Sequence, residues 1–88
     1  MDNRRLIMMA NQIGAFFEAW PDRAEAVAGV AGHLKNFWAP SMRRQLAEHM
    51  AASGGGELKE IVRDAVRLLA REAAAAAAKR GDEKPSGR

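Results

Sequence analysis

The sequence predicts an all-α fold, a compact bundle of about four short helices followed by a disordered C-terminal tail. Apolar residues recur at three- and four-residue steps through most of the chain, as they do on a buried helical face. Pro21, Pro40 and the run Gly54-Gly55-Gly56 interrupt these apolar stripes. No segment alternates apolar and polar residues as a half-buried strand does. With 88 residues, the chain is long enough for one small domain.

Acidic residues and prolines delimit the first two helices. The first is expected from about Asn3 to Ala19, with Asp2 as its N-cap or first-turn anion. The second is expected from about Asp22 to Phe37, with Asp22 in its first turn after the break at Pro21. Their predicted core stripes comprise Leu6, Met9, Ala10, Ile13, Phe16, Phe17 and Trp20 in the first helix, and Val27, Val30, Ala31, Leu34, Phe37 and Trp38 in the second.

The third helix is expected from about Pro40 to Ala52, since proline suits a first helical turn. We interpret Ser53 to Gly56 as a flexible linker. The fourth helix is expected from about Glu57 to Lys79. We therefore assign residues 1–80 to the helical domain and residues 81–88 to the tail. The thinner stripe of the third helix comprises Met42, Leu46, His49 and Met50, and that of the fourth Leu58, Ile61, Val62, Ala65, Leu68, Leu69 and Ala73.

The residue types predict a protein without catalytic, cofactor or metal site. There is no cysteine, and two histidines make a structural zinc site improbable. Ser41, Ser53 and Ser86 fall at a helix start, in the linker and in the tail, so the sequence offers no serine–histidine–acid set. We expect no intrinsic enzymatic activity.

The charge distribution argues against nucleic acid as a partner. The net charge is +3, but the last ten residues hold four basic and two acidic side chains, which leaves the helical part nearly neutral. No apolar run approaches the roughly 20 residues that cross a bilayer. The N-terminus has no signal-peptide pattern, so a cytoplasmic location is expected.

Three segments carry a family resemblance: Arg5 to Phe17 with its Met-Ala-Asn-Gln-Ile motif, Gly29 to Leu34 ending in His-Leu, and Phe37 to Arg43 with the pattern Phe-Trp-x-Pro-x-Met-Arg. In combination they resemble the delta subunit of soluble, NAD-dependent, molybdenum-containing formate dehydrogenases, over roughly residues 4–70. The Ala-rich extension and the tail lie outside this resemblance.

The resemblance implies an accessory subunit that assists assembly or stability of the complex and docks on its large alpha subunit. In that family the alpha subunit carries molybdopterin guanine dinucleotide and iron–sulfur clusters. The beta subunit carries FMN and binds NAD, and a gamma subunit carries another cluster. The delta subunit has no recognised cofactor, which agrees with a chain that lacks cysteine.

We predict the partner interface on the non-core side of the first helix, where apolar residues and amides adjoin, and at the corner before the third helix. Arg43 and Arg44 stand at the start of that helix, where positive charge opposes the helix dipole, so an external carboxylate would stabilise them. Trp38 is expected to be mainly core, with an outer edge available to a partner. The predicted interface residues are Ile7, Met8, Asn11, Gln12, Trp38, Met42, Arg43 and Arg44.

Two alternatives stay open at this stage. A small helical DNA-binding regulator could use the helix–Pro–helix corner with Arg43 and Arg44. A transient assembly chaperone of the same enzyme would bind the same partner as a permanent subunit. The sequence does not distinguish molybdenum from tungsten in that partner.

Overall fold

The computed structural model describes residues 2–83, and for residues 79–83 it describes the backbone alone. This part of the chain forms four helices and no strand, so the predicted helical bundle is confirmed. The first three helices begin and end within one residue of their predicted bounds. The helices are α1 (Asn3–Glu18), α2 (Arg23–Phe37), α3 (Pro40–Ser53) and α4 (Glu60–Glu83).

Local sequence signals fix where the helices begin and end. The side chains of Asp2 and Asp22 accept hydrogen bonds from first-turn backbone N–H groups, at 2.9 and 3.1 Å. Pro40 occupies the first turn of α3, where its missing N–H removes no helical hydrogen bond. Gly54 ends α3 with a left-handed φ of 84°, a conformation that glycine adopts without steric cost.

The loop between α3 and α4 is held by hydrogen bonds, so its interpretation as a flexible linker was wrong. Ser53 belongs to α3, and Gly55 continues the left-handed turn with a φ of 73°. One guanidinium nitrogen of Arg63 donates to the carbonyls of Gly55 and Leu58, at 3.2 and 2.6 Å. Glycine content predicts conformational freedom, but these tertiary contacts fix one conformation.

Helix α4 begins and ends later in the sequence than the expected bounds Glu57 and Lys79. It begins at Glu60, after a turn in which Leu58 is buried, and it continues to Glu83. Helix α4 therefore extends over Gly81 to Glu83, which the sequence analysis placed in the tail. The rest of the predicted tail, residues 84–88, lies outside the described residues.

The core lies where α4 packs on α2 and α1, while α3 closes the bundle against α1 and α2. Leu34, Leu46 and Ile61 are among its largest fully buried side chains. The buried hydrophobic residues are Leu6, Ile7, Ala10, Ala26, Val30, Ala31, Leu34, Trp38, Leu46, Leu58, Ile61, Val62, Ala65 and Val66.

The buried face of α1 differs from the predicted stripe. Ile7, which was placed outside the core, is 9% exposed, whereas the aromatic residues Phe16 and Trp20 are 66% and 41% exposed. Gly14 explains the difference, since a Cβ there would lie 2.8 Å from Cγ2 of Val62 on α4. The small residues of α1 therefore face α4 and let it approach closely, and the aromatic rings fall outside that contact.

The two glycines within α2 have different surroundings. A Cβ on Gly29 would overlap the ring of Phe17, whereas a Cβ on Gly32 would meet nothing within 4 Å. Gly29 therefore lets an α1 ring lie on the backbone of α2.

Replacing Gly32 by alanine should raise the free energy of unfolding by about 0.5–1 kcal/mol, because alanine lowers the entropic cost of ordering a helix. The matched variant Gly29→Ala should show no such increase in the free energy of unfolding, because its Cβ would overlap the ring of Phe17. Urea unfolding of both variants measures the difference. A Gly32→Ala chain less stable than the natural one would contradict the open surroundings of this position.

Candidate interaction surface

One arrangement of side chains has the composition of a catalytic triad, which the sequence analysis did not foresee. His49 Nε2 lies 2.9 Å from Oε1 of Glu57 and 3.4 Å from Oγ of Ser53. A triad needs the acid on one ring nitrogen and the nucleophile on the other, but here both contact the same nitrogen. The Ser53 hydroxyl also donates to the His49 carbonyl at 2.9 Å. These contacts tie α3 to the following loop and form no proton relay.

Neither a metal site nor a membrane span is found in the part of the chain that the structure describes. No three His, Cys, Asp or Glu side chains of residues 2–78 are grouped to ligate a metal ion. None of the described helices combines the length and the apolar character needed to cross a bilayer.

On α1, the structure separates the predicted interface residues into two pairs. Ile7 is in the core, and Asn11 binds the α3–α4 loop: its Nδ2 donates to the carbonyl of Glu57 at 3.0 Å, and its Oδ1 accepts from Lys59 N at 2.9 Å. The placement of Ile7 outside the core was wrong because α1 is rotated toward α4, and the same rotation leaves Asn11 half-buried. Met8, 57% exposed, and Gln12 lie on the outer face, so their role in an interface stays a prediction.

At the corner between α2 and α3, Arg43 bonds within the chain. Its Nη1 donates to the carbonyls of Leu34, Lys35 and Trp38, at 3.3, 3.1 and 2.7 Å. These carbonyls belong to the last turn of α2 and its C-cap Trp38, where the helix dipole is negative. The Leu34 carbonyl also accepts a hydrogen bond from the Trp38 backbone N–H at 3.1 Å. The expectation that Arg43 needs an external carboxylate was therefore wrong. The DNA-binding alternative relied on Arg43 and Arg44, and Arg43 is bound to carbonyls of the chain itself.

The other predicted residues of this corner differ in exposure. Trp38 is 6% exposed and belongs to the core, so it offers a partner little surface. Met42 is half-buried against the core. Arg44 is exposed and borders a groove of about 300 Å³ that has the buried side chains of Leu34 and Leu46 among its lining.

Replacing Arg43 by alanine should lower the free energy of unfolding by about 1.5–3 kcal/mol, because hydrogen bonds from a charged donor to three carbonyls are lost. Arg44→Ala, the same change at the exposed neighbour, should stay within about 0.5 kcal/mol. Chemical denaturation compares the two variants. Equal losses from both would show that the cap on α2 contributes nothing.

A run of aromatic side chains on α1 and α2 is exposed, although the periodicity assigned most of it to the core. Phe37 is 74% exposed at the end of α2, Phe16 is exposed on α1, and Trp20 is exposed in the turn that follows α1. Phe17 is half-buried between Phe16 and Trp20. Assigning Phe16, Trp20 and Phe37 to the core was wrong. We call the aromatic surface the set Ile13, Phe16, Phe17, Trp20, His33 and Phe37.

Ring contacts and a groove make this surface continuous. The ring centroid of Phe17 on α1 lies 5.0 Å from that of Phe16 and 4.9 Å from that of Trp20 in the turn after α1. On α2, the rings of His33 and Phe37 are 4.8 Å apart. An open groove of about 290 Å³ joins the two sets, since Ile13, Phe16, Phe17 and His33 line it. Contiguous exposed apolar patches on small proteins typically mark interaction sites.

The sequence comparison identifies the family. The sequence profile described as NADH-dependent formate dehydrogenase delta subunit FdsD matches residues 5–66. The chain belongs to this family. The FdsD match runs from α1 into the first turns of α4 and includes the whole aromatic surface and the Arg43 cap. It confirms the resemblance seen in the sequence. No curated protein and no solved structure significantly matches the chain.

Proposed function

We propose that this chain is a non-catalytic accessory subunit of an NAD-dependent, molybdenum-containing formate dehydrogenase in the cytoplasm. It stabilises the complex or helps to assemble it by docking on the large alpha subunit. The match to the delta-subunit family over residues 5–66 is the observation that carries this proposal. The exposed rings of Phe16, Trp20 and Phe37 support it, because a chain with uncovered aromatic rings gains stability when a partner buries them.

The redox groups of the enzyme belong, in this proposal, to the partner subunits. Molybdopterin guanine dinucleotide and iron–sulfur clusters are assigned to alpha, FMN to beta and a further cluster to gamma. The present chain has no cysteine to ligate a cluster. The contacts of Ser53, His49 and Glu57 also lack the geometry for nucleophilic catalysis. In this proposal, the chain therefore contributes a protein-binding surface to the complex and no redox group.

Four of the predicted interface residues remain available for docking. Met8 and Gln12 lie on the outer face of α1, and Met42 and Arg44 lie at the α2–α3 corner. The other four, Ile7, Asn11, Trp38 and Arg43, bind within the chain. They support docking by holding the helices in place.

A co-purification experiment tests the proposal. The chain is tagged, expressed in its native host and recovered at low salt under conditions that keep large redox complexes intact. A large molybdenum and iron–sulfur protein should be recovered with it, with formate-dependent NAD reduction in the eluate. Recovery of the tagged chain alone, while the untagged enzyme stays in the flow-through, would overturn the proposal.

The ratio of this chain to alpha in the mature enzyme distinguishes a permanent subunit from a transient chaperone. A permanent subunit is present in the mature, cofactor-loaded enzyme in a fixed ratio to alpha, whereas a chaperone is found only with immature alpha. Counting delta chains in the fully active complex distinguishes the two.

A further inference from the structure

We infer that the formate dehydrogenase partner covers the aromatic surface with an apolar segment that is bordered by lysine or arginine. This inference rests on the proposed function and adds the surface of docking and the chemistry of the segment that docks. It extends the predicted contact at Met8 and Gln12 along α1, because Phe16 is one helical turn beyond Gln12.

The exposed rings contribute little to the stability of the isolated fold. Phe16 and Phe37 are 66% and 74% exposed, so most of their apolar area contributes nothing to the core. Phe17 holds its position by packing on the bare backbone at Gly29, and it contacts both Phe16 and Trp20. The surface is thus supported from within, and its outer side is free for another apolar surface. Large aromatic residues are the side chains that most often anchor protein interfaces.

The part of the aromatic surface between Ile13 and Trp20 lies in a segment without basic residues. Residues 6–22 contain no lysine or arginine, although the whole chain has a net charge of +3. Glu18 is paired with Lys59 at 3.3 Å, and the nearby Arg23 is occupied by Asp64 at 3.1 Å. The exposed carboxylates of Asp22, whose Oδ1 caps α2, and of Glu25 lie at the α1–α2 end of the aromatic surface.

Glu25 stands one helical turn before Gly29, so it lies on the face of α2 on which Phe17 packs. A partner with a lysine or arginine beside its apolar segment complements this border. A second copy of the chain fits it poorly. Symmetric pairing through this surface would bring two acidic borders into one interface.

The experiment measures binding of the purified full chain to the purified alpha subunit by calorimetry. Phe16→Asp and Phe37→Asp should each weaken binding about tenfold or more, because a carboxylate would enter an apolar contact. Both positions are exposed, so the variants should retain the helical content of the natural chain in circular dichroism. The variant Ala74→Asp, on an exposed part of α4, is the control and should bind normally.

Matched glycine variants test the surface without adding charge. Gly29→Ala displaces the Phe17 ring and should weaken binding about threefold or more, whereas Gly32→Ala meets open space and should not change it. Matched charge reversals test the border. Glu25→Lys should weaken binding about threefold or more, and Glu48→Lys, an exposed carboxylate on α3, should not.

The outcomes separate this inference from the proposed function. If the natural chain does not bind any formate dehydrogenase subunit, the proposed function fails. If the natural chain binds and both phenylalanine variants bind equally well, the aromatic surface is wrong and the proposed function stands. If Phe16→Asp only converts a dimer of the chain into a monomer and leaves alpha binding unchanged, the surface belongs to a second copy and the inference is overturned.

Discussion

Replacing Trp38 by alanine should lower the free energy of unfolding of the isolated chain by about 3–5 kcal/mol, the usual cost of emptying a buried indole site. The ring is 6% exposed and lies where α2 ends and α3 begins. Its backbone carbonyl also accepts the 2.7 Å hydrogen bond from Arg43. The cavity would therefore open beside the contact that fixes the corner. In a domain of ordinary stability this loss is a large part of the total.

Phe37→Ala is the matched control for this prediction. It removes an adjacent aromatic ring that is 74% exposed, so the loss should stay below about 1 kcal/mol. Urea titrations followed by circular dichroism measure both variants. A loss below about 1 kcal/mol for Trp38→Ala would contradict its place in the core.

Replacing Ile7 by aspartate should lower the free energy of unfolding by about 4 kcal/mol or more, because it loses a core side chain and buries an unpaired carboxylate. Ile7 is 9% exposed and belongs to the same core cluster as Leu6 and Ala10. The same substitution at the next residue, Met8→Asp, should stay within about 0.5 kcal/mol, since Met8 is 57% exposed.

This pair also tests how α1 is oriented. A shift in thermal midpoint for Ile7→Asp and none for Met8→Asp is the expected pattern. A stable Ile7→Asp chain, together with a destabilised Met8→Asp chain, would show that α1 is rotated the other way. The two variants must be made separately, because a double variant would mix unfolding with loss of docking.

The bounds of α1, α2 and α3 were predictable because their causes are local. Asp2 and Asp22 cap the turns that directly follow them, and Pro40 excludes continuation of α2 while suiting the start of α3. Such signals involve only a few consecutive residues. The sequence alone therefore suffices to find them. The family segments are equally local, and the FdsD match over residues 5–66 confirms them.

The orientation of α1 could not be predicted from periodicity. A stripe of apolar residues shows that a face will be covered, but not whether another helix of the same chain or a partner covers it. Ile7 is buried and Phe16 is exposed, the reverse of the prediction, because Gly14 lets α4 pack closely on the small-residue side of α1. The low bulk of Ala10 and Gly14 was the available signal, and a helix-packing argument could have used it.

Long-range hydrogen bonds account for the other errors. Asn11 and Glu57 are 46 residues apart in sequence, and no local pattern indicates that an amide of α1 will bind the α3–α4 loop. Arg43 reaches back to carbonyls that lie five to nine residues earlier, across the corner that Pro40 creates. An arginine shortly after a helix-ending proline is a usable signal for such a cap, since helix C-termini attract cations.

Native mass spectrometry of a mixture of the separately purified alpha subunit and this 9.6 kDa chain tests the central claim most directly. Docking on alpha predicts a new species whose mass is the sum of the two proteins, and it should disappear when Phe16→Asp replaces the natural chain. Two unshifted species at micromolar concentrations, with alpha correctly folded and loaded with its cofactors, would contradict the claim.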